Sequence, residues 1–227
     1  MGQTTTTHDP SLATQGPPVT QATTRFWLLR HAVVAPHART FLYGRMDVPI
    51  CDESRTEQSL AYQSLARRLP PRAAWFVSPL SRTHDTARAI EAAGYKLPTP
   101  TVEPGLTEQD LGEWQGLPHG DLPPLLQEPA HAFWPLGATE TPPGGESMTQ
   151  VVHRVGDTLE RLATDHAGQD VVAVSHGGAI RAALAHATGV GAKAALHFSV
   201  QNLSLTVLER FAAGWRIVCV NEVGPAW

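Results

Sequence analysis

The chain has few cysteines, no long apolar run and no excess of basic residues, and each shortage excludes a class of protein. Its 227 residues include only Cys51 and Cys219, which exclude a disulfide framework or a CxxC metal site and suit a reducing compartment. No apolar run reaches the length of about 18 residues that a membrane span needs, so a membrane protein is excluded. Lys and Arg number 17 against 21 Asp and Glu, and this net charge of −4 argues against a general nucleic-acid binder.

The first 24 residues differ in composition from the rest of the chain. They are rich in threonine, carry one charged side chain, Asp9, and lack periodic apolar residues. We therefore expect a disordered N-terminal tail over 1–24 and one domain over 25–227. No basic residue precedes Arg25, so a secretory leader is not indicated and a cytoplasmic location is expected.

Short apolar runs alternate with amphipathic segments along the domain. Buried strands are predicted at 25–29, 73–77 and 171–175, and a late pair of strands at 204–209 and 215–220. Helices are predicted at 57–69, at 78–93 with Ser78 as N-cap, from a Ser147/Gln150 capping box to 163, and after His176. Residues 117–145, rich in Pro and Gly, are predicted to form a long excursion over one face. The alternation predicts a three-layer α/β/α sandwich around a mostly parallel sheet.

Three predicted strands end in residues suited to binding an anion. These ends are Arg30-His31, Ser78 to Arg82, and Ser175-His176-Gly177-Gly178. Ligands of open α/β sheets bind outside the carboxyl ends of the strands, so neighbouring strands would gather these residues at one rim. Two arginines and up to two imidazolium groups would form a pocket suited to a phosphoryl group, and the helix start after His176 would add backbone N–H groups.

Five motifs resemble the histidine phosphatase superfamily, the phosphoglycerate mutase-like enzymes. They are LLRHA at 28–32, SPLSRTHDTA at 78–87, LTEQDLGEWQG at 106–116, PGGES at 143–147 and SHGGAIR at 175–181. They occur in the family's order and span about residues 25–222. The chain departs from the family's RHG at Ala32, and Val33-Val34 replace the acidic and hydroxyl pair that usually follows.

The resemblance implies a catalytic set and a reaction. His31 would attack phosphorus to form a phosphohistidine, while the positive charges of Arg30 and Arg82 keep its ring neutral and stabilise the transferred group. His176 would donate a hydrogen bond to the same group, and Glu108 would protonate the leaving oxygen. Gly177 would permit close approach of the ligand. No metal or other cofactor is required.

The segment 40–50, TFLYGRMDVPI, resembles the alpha-ribazole phosphatase-like branch of the superfamily. Tyr43, Gly44 and Arg45 would then border the pocket, or the segment is a loop shared by many small phosphatases. His37 follows the nucleophile at a position where many relatives bind substrate, or it is a plain loop histidine. The remaining histidines form no HxxxH or HExxH pattern, which disfavours a metal hydrolase.

The sequence thus predicts a metal-independent phosphomonoester hydrolase for a small phosphorylated metabolite, with alpha-ribazole phosphate as one candidate. A mutase-type phosphotransferase and a non-catalytic phosphate-binding module are the alternatives. The excursion at 117–145 is short for a mutase, which favours hydrolysis. Neither nucleic acid nor membrane is an expected partner, and a monomer and a homodimer are both open.

Overall fold

The computed structural model describes residues 22–224, so nearly all of the predicted tail lies outside the described residues. The strands are β1 (Thr24–Arg30), β2 (Ala74–Val77), β3 (Thr101–Val102), β4 (Asp170–Ser175), β5 (Leu205–Phe211) and β6 (Gly214–Glu222). The helices are α1 (Asp52–Glu57), α2 (Ser59–Arg68), α3 (Ser81–Ala92), α4 (Met148–Asp165), α5 (Gly177–Thr188) and α6 (Ala192–Ala195). The strand order is β3-β2-β4-β1-β5-β6, with the first four parallel and the last two antiparallel to their neighbours.

Alternate residues of the central strands pack against two helical layers. In β4, Val171 and Ala173 belong to the core that the sheet forms with α4 and α5. Val172 and Val174 face the opposite core, which α2 and α3 complete. A strand whose two faces are both buried reads as a continuous apolar run, as this one does. The α/β/α sandwich around a mostly parallel sheet is therefore confirmed.

Helix α4 begins at the predicted capping box. The Ser147 hydroxyl accepts the Gln150 N–H, and the Gln150 side chain bonds back to the Ser147 backbone N–H at 2.7 Å. Its apolar face is buried in the core through Leu159 and Leu162. Full burial of one such side chain stabilises the fold by about 1.5–3 kcal/mol.

The helix predicted over 57–69 is confirmed as α2, which ends just before Pro70-Pro71. A further helix that was not predicted, α1, precedes it, and the two are separated at Gln58, where the backbone leaves helical geometry. One helix prediction is wrong in detail. Helix α3 begins at Ser81 with Leu80 as its N-cap, so Ser78 is not the cap. Ser78 is fully buried beside His176 and serves the site described next.

The predicted excursion is confirmed. Between Leu117 and Gly145 the described chain forms only short 3-10 helices, His119–Asp121 and Pro123–Leu125, and isolated bridges. A small core under this segment contains Leu42, Leu111, Trp114 and Leu136. This core fastens the excursion beside the carboxyl ends of the parallel strands.

Candidate active site

The strand order places the three predicted strand ends side by side. Strand β4 lies between β2 and β1, with Val77 opposite Val174 and Arg30 opposite Ser175. The residues that follow these strands therefore share one rim of the sheet. The predicted anion pocket required these strands to be neighbours in the sheet, and they are.

His31 follows β1 and is 1% exposed. Its backbone N–H donates to the Ser175 carbonyl at 2.9 Å, and its carbonyl accepts from the Asn202 side chain at 2.8 Å. The ring Nδ1 lies 2.7 Å from the Ala32 carbonyl. Because a carbonyl only accepts, Nδ1 carries the proton, and Nε2 presents a lone pair. The tautomer that a nucleophilic Nε2 requires is thus set by the backbone.

Burial keeps both site histidines neutral. The pKa of His31 lies well below its usual range, first because of burial and then because of the positive charges of Arg82 and Arg30. The pKa of His176 is lowered in the same way, by burial and then by Arg82, His31 and Arg30. The predicted neutrality of His31 is supported, and neither histidine adds an imidazolium charge to the pocket. The permanent positive charge comes from the arginines, and desolvation outweighs them in keeping His31 neutral.

Arg82 is fully buried at the start of α3 and is fixed by three donated hydrogen bonds. Its Nη atoms donate to the carbonyls of Met46 and Gly44, each at 2.8 Å, and its Nε donates to His176 Nδ1 at 3.3 Å. Asp85, three residues further along α3, pairs with Arg88 and not with Arg82. Arg82 therefore faces the site.

The ring of His176 lies 5.1 Å from that of His31, centroid to centroid, and both of its nitrogens have protein partners. A guanidinium only donates, so Nδ1 accepts from Arg82 and Nε2–H donates to the Ser78 hydroxyl at 2.7 Å. A direct bond from His176 to a phosphoryl group requires one of these partners to be exchanged. That predicted role stays a prediction.

Arg30 lies beside the N-terminus of α5. Its Nη1 donates to the Val200 carbonyl at 2.5 Å, while its buried Nε has no hydrogen-bond partner among the described residues. A Cβ at Gly177 would lie 3.4 Å from the Arg30 guanidinium carbon and 3.1 Å from Arg181 Nη1. A glycine there lets two guanidinium groups lie close to the first turn of the helix.

Glu108 is buried against the same helix end. Its Oε2 accepts the Gly178 N–H at 3.1 Å, and its Oε1 accepts the Gln109 N–H at 2.9 Å. The preceding loop is held by Arg154 of α4, which donates to the Gly105 and Thr107 carbonyls at 2.9 and 3.1 Å. Glu108 lines the same small cavity as Arg30, so its carboxyl lies within reach of a phosphate ester bound to that arginine.

Tyr43 and Gly44 border the site, whereas Arg45 and His37 are not among the residues that line its cavity. The Tyr43 ring lies 5.3 Å from the Arg82 guanidinium carbon, and Gly44, at φ +39°, presents its carbonyl to the same guanidinium. Arg45 pairs with Asp110 at 3.2 Å. His37 is exposed on a short 3-10 helix, and neither it nor Arg45 lines the cavity beside Glu108. Their predicted binding roles remain untested.

The sequence reading missed several residues that support this site. Arg154 holds the Glu108 loop and pairs with Glu146 of the PGGES motif at 2.6 Å, so that motif serves to position the loop. Trp134 enters the site from the excursion, where its indole N–H donates to Gln109 Oε1 at 2.8 Å. A lone tryptophan within a polar, Pro-rich segment was the available signal for it.

Two cavities border Arg30. The larger, about 430 Å³, lies toward Asn202 and is not lined by Glu108. The smaller, about 170 Å³, contains Arg30, Tyr43, Gly44 and Glu108. Although it is smaller, the second cavity is the one that adjoins both Arg30 and Glu108.

Among residues 22–224, no group of three or more His, Cys, Asp or Glu side chains is arranged to hold a metal ion. None of the described helices combines the length and apolar character needed to cross a bilayer.

Comparisons with known proteins agree with this geometry. The model of the histidine phosphatase superfamily (branch 1) matches residues 26–223. Glucosyl-3-phosphoglycerate phosphatase of Mycolicibacterium vanbaalenii is 32% identical over 174 residues, which cover 73% of this chain and 75% of that protein. Bifunctional protein Rv2228c of Mycobacterium tuberculosis is 32% identical over 202 residues, 88% of this chain, but the chain spans only 54% of that relative. The crystal structure of the alpha-ribazole phosphatase from Shigella flexneri superimposes with a TM-score of 0.69 over 87% of this chain and 96% of that one, and at 22% identity it shows a shared fold alone.

Proposed function

The chain belongs to the histidine phosphatase superfamily (branch 1), and from this premise we propose that it is a metal-independent phosphomonoester hydrolase. The observation that carries the proposal is the juxtaposition of a neutral, buried His31 with Arg82 and Arg30 at one rim of the sheet. Its substrate is a small phosphorylated metabolite. Relatives named as phosphatases support this reaction class.

The first step is transfer of the phosphoryl group to His31. The Nε2 lone pair forms a bond to phosphorus while the bond from phosphorus to the leaving oxygen breaks. Arg30 and Arg82 stabilise the charge that spreads over the equatorial oxygens. Glu108, in its acid form, donates its proton to the leaving oxygen, so the alcohol departs neutral.

The second step is hydrolysis of the phosphohistidine. The Glu108 carboxylate takes a proton from water as the water oxygen attacks phosphorus, and the bond between phosphorus and Nε2 breaks. Inorganic phosphate leaves, His31 returns to its neutral tautomer and Glu108 is again protonated. No metal takes part, since the guanidinium groups neutralise the phosphoryl charge.

Hydrolysis of p-nitrophenyl phosphate, with and without a chelator, tests the proposal. We expect turnover that a chelator does not change and that His31→Ala abolishes. His153→Ala is a matched control, because His153 is an exposed histidine on α4 away from the site. A non-catalytic module would show no turnover in any variant, and loss of turnover in chelator would indicate a metal hydrolase.

Alpha-ribazole phosphate is our candidate for the natural substrate. Its support is the segment 40–50, in which Tyr43 and Gly44 border the Arg82 site. We expect a kcat/KM at least tenfold higher for it than for phosphoserine or 3-phosphoglycerate. Transfer of phosphate between two phosphoglycerate positions, without net hydrolysis, would instead favour the mutase alternative.

A further inference from the structure

The small cavity beside Glu108 is walled mainly by apolar and aromatic groups. Phe41, Tyr43 and Trp134 contribute rings, and Leu111 and Pro135 contribute aliphatic surface. Its volume of about 170 Å³ is below the roughly 300–1,000 Å³ of pockets that hold drug-sized ligands. The wall suits an aromatic or other apolar group more than a charged one.

Trp134 lines this cavity beside Glu108 and is fixed there by two contacts. Its indole N–H is bonded to Gln109, and the Arg181 guanidinium carbon lies 5.1 Å from its ring centroid. A Cβ built on Gly178 would lie 2.2 Å from Glu108 Oε1 and 3.2 Å from Trp134 Cζ2, so the carboxyl and the indole edge are close to each other. An alcohol oxygen protonated by Glu108 therefore carries its substituent against the edge of the indole.

The Tyr43 ring stands next to the Arg82 guanidinium, so aromatic groups lie on both the phosphoryl side and the proton-donor side of the cavity. Arg30 is the only lysine or arginine among the described residues that line it. The phosphoryl group would occupy that arginine, and Arg181, which lies over Trp134, already donates to the Phe198 and Gly177 carbonyls. A second anionic group buried here would therefore have to compete with those carbonyls for a cationic partner. Such burial is costly.

We infer that this cavity selects phosphate esters whose alcohol carries an aromatic ring, a class that includes both alpha-ribazole phosphate and simple arylalkyl phosphates, over esters that carry a second anionic group, and that Trp134 is a specificity-determining residue. The inference rests on the proposed phosphatase function and names its leaving-group class. Rings pack against Trp134 and Tyr43, and the ester oxygen lies at Glu108.

Kinetics with esters that have similarly poor leaving groups test the inference. We expect kcat/KM to fall in the order benzyl phosphate, cyclohexylmethyl phosphate, phosphoserine, with at least a tenfold difference between the first and the last. Using alkyl-type alcohols throughout keeps the demand on Glu108 comparable across the series. Equal rates for benzyl phosphate and phosphoserine would overturn the inference while leaving the phosphatase proposal intact.

Variants of Trp134 and its sequence neighbour separate selectivity from folding. Trp134→Ala should lower kcat/KM for benzyl phosphate roughly tenfold and for phosphoserine much less. Phe133→Ala is the matched control, since Phe133 is 61% exposed and does not line the cavity. A Trp134→Ala protein that loses both activities equally would contradict the inference. Absence of hydrolysis of every ester by the wild-type protein would contradict the proposed function instead.

Discussion

A single methyl group at Gly178 should displace the proposed proton donor. The Cβ of an alanine there would lie 2.2 Å from Glu108 Oε1 and 3.2 Å from its carboxyl carbon. Real Cβ contacts are not shorter than about 3.0 Å, so the carboxylate must move by roughly 1 Å. The move also breaks or lengthens the bond from the Gly178 N–H to Oε2.

The expected kinetic effect follows from that displacement. Misplacing a catalytic group by about 1 Å costs on the order of 100-fold in rate. We therefore expect Gly178→Ala to lower kcat by about that factor for alkyl phosphates, whose leaving oxygen needs a proton. For p-nitrophenyl phosphate the loss should be smaller, because a phenolate of low basicity leaves without help.

Steady-state kinetics on both ester classes, with circular dichroism to check folding, would measure this effect. Gly191→Ala is the matched control: its backbone φ is −63°, and a Cβ there meets nothing within 4 Å. A folded Gly178→Ala protein that hydrolyses alkyl phosphates at the wild-type rate would refute the assignment of Glu108 as donor.

Three further outcomes are expected. Glu108→Gln should slow alkyl phosphates far more than aryl phosphates, and equal loss on both would indicate a structural role. Burial lowers the pKa of His31 in the folded protein, so below about pH 6.5 the unfolded chain binds a proton at this residue and the folded protein does not. The free energy of unfolding should therefore fall with pH in this range, by up to about 1.4 kcal/mol per pH unit. Urea unfolding should therefore show a shallower pH slope between pH 7 and 5 in His31→Asn, and an unchanged slope would contradict the burial argument. Ser78→Ala should lower the free energy of unfolding by about 1–3 kcal/mol, because it leaves the Nε2–H of buried His176 without its acceptor; an unchanged unfolding midpoint would show that this bond does not hold the ring.

The sheet and its rim were predictable because their signals are local. Each parallel strand buries both faces and therefore appears as an apolar run, and a polar residue ends it where the site begins. Arg30, His31 and His176 were found in this way. Helix α4 was equally clear, since Ser147 and Gln150 cap it within four residues of each other.

The missed features depend on contacts between distant residues. Ser78 followed by Pro79 is a typical helix start, but the demand of His176 for a hydrogen-bond acceptor, 98 positions away, outweighed capping. Helix α1 buries none of its residues and so has no periodic apolar signal. Burial lowers the pKa of His31 more than the charges of Arg82 and Arg30 do. How deeply a side chain is buried depends on the whole fold, so a sequence motif does not reveal it.

The most direct test is to trap the phosphorylated enzyme during turnover and identify the modified atom. Rapid quenching in base with a labelled substrate, followed by peptide mass spectrometry and 31P NMR, should place the phosphoryl group on Nε2 of His31, the nitrogen left free by the bond from Nδ1 to Ala32. A phosphoryl group on another residue or on Nδ1, or turnover that persists in His31→Ala, would contradict the assignment of His31 as the nucleophile.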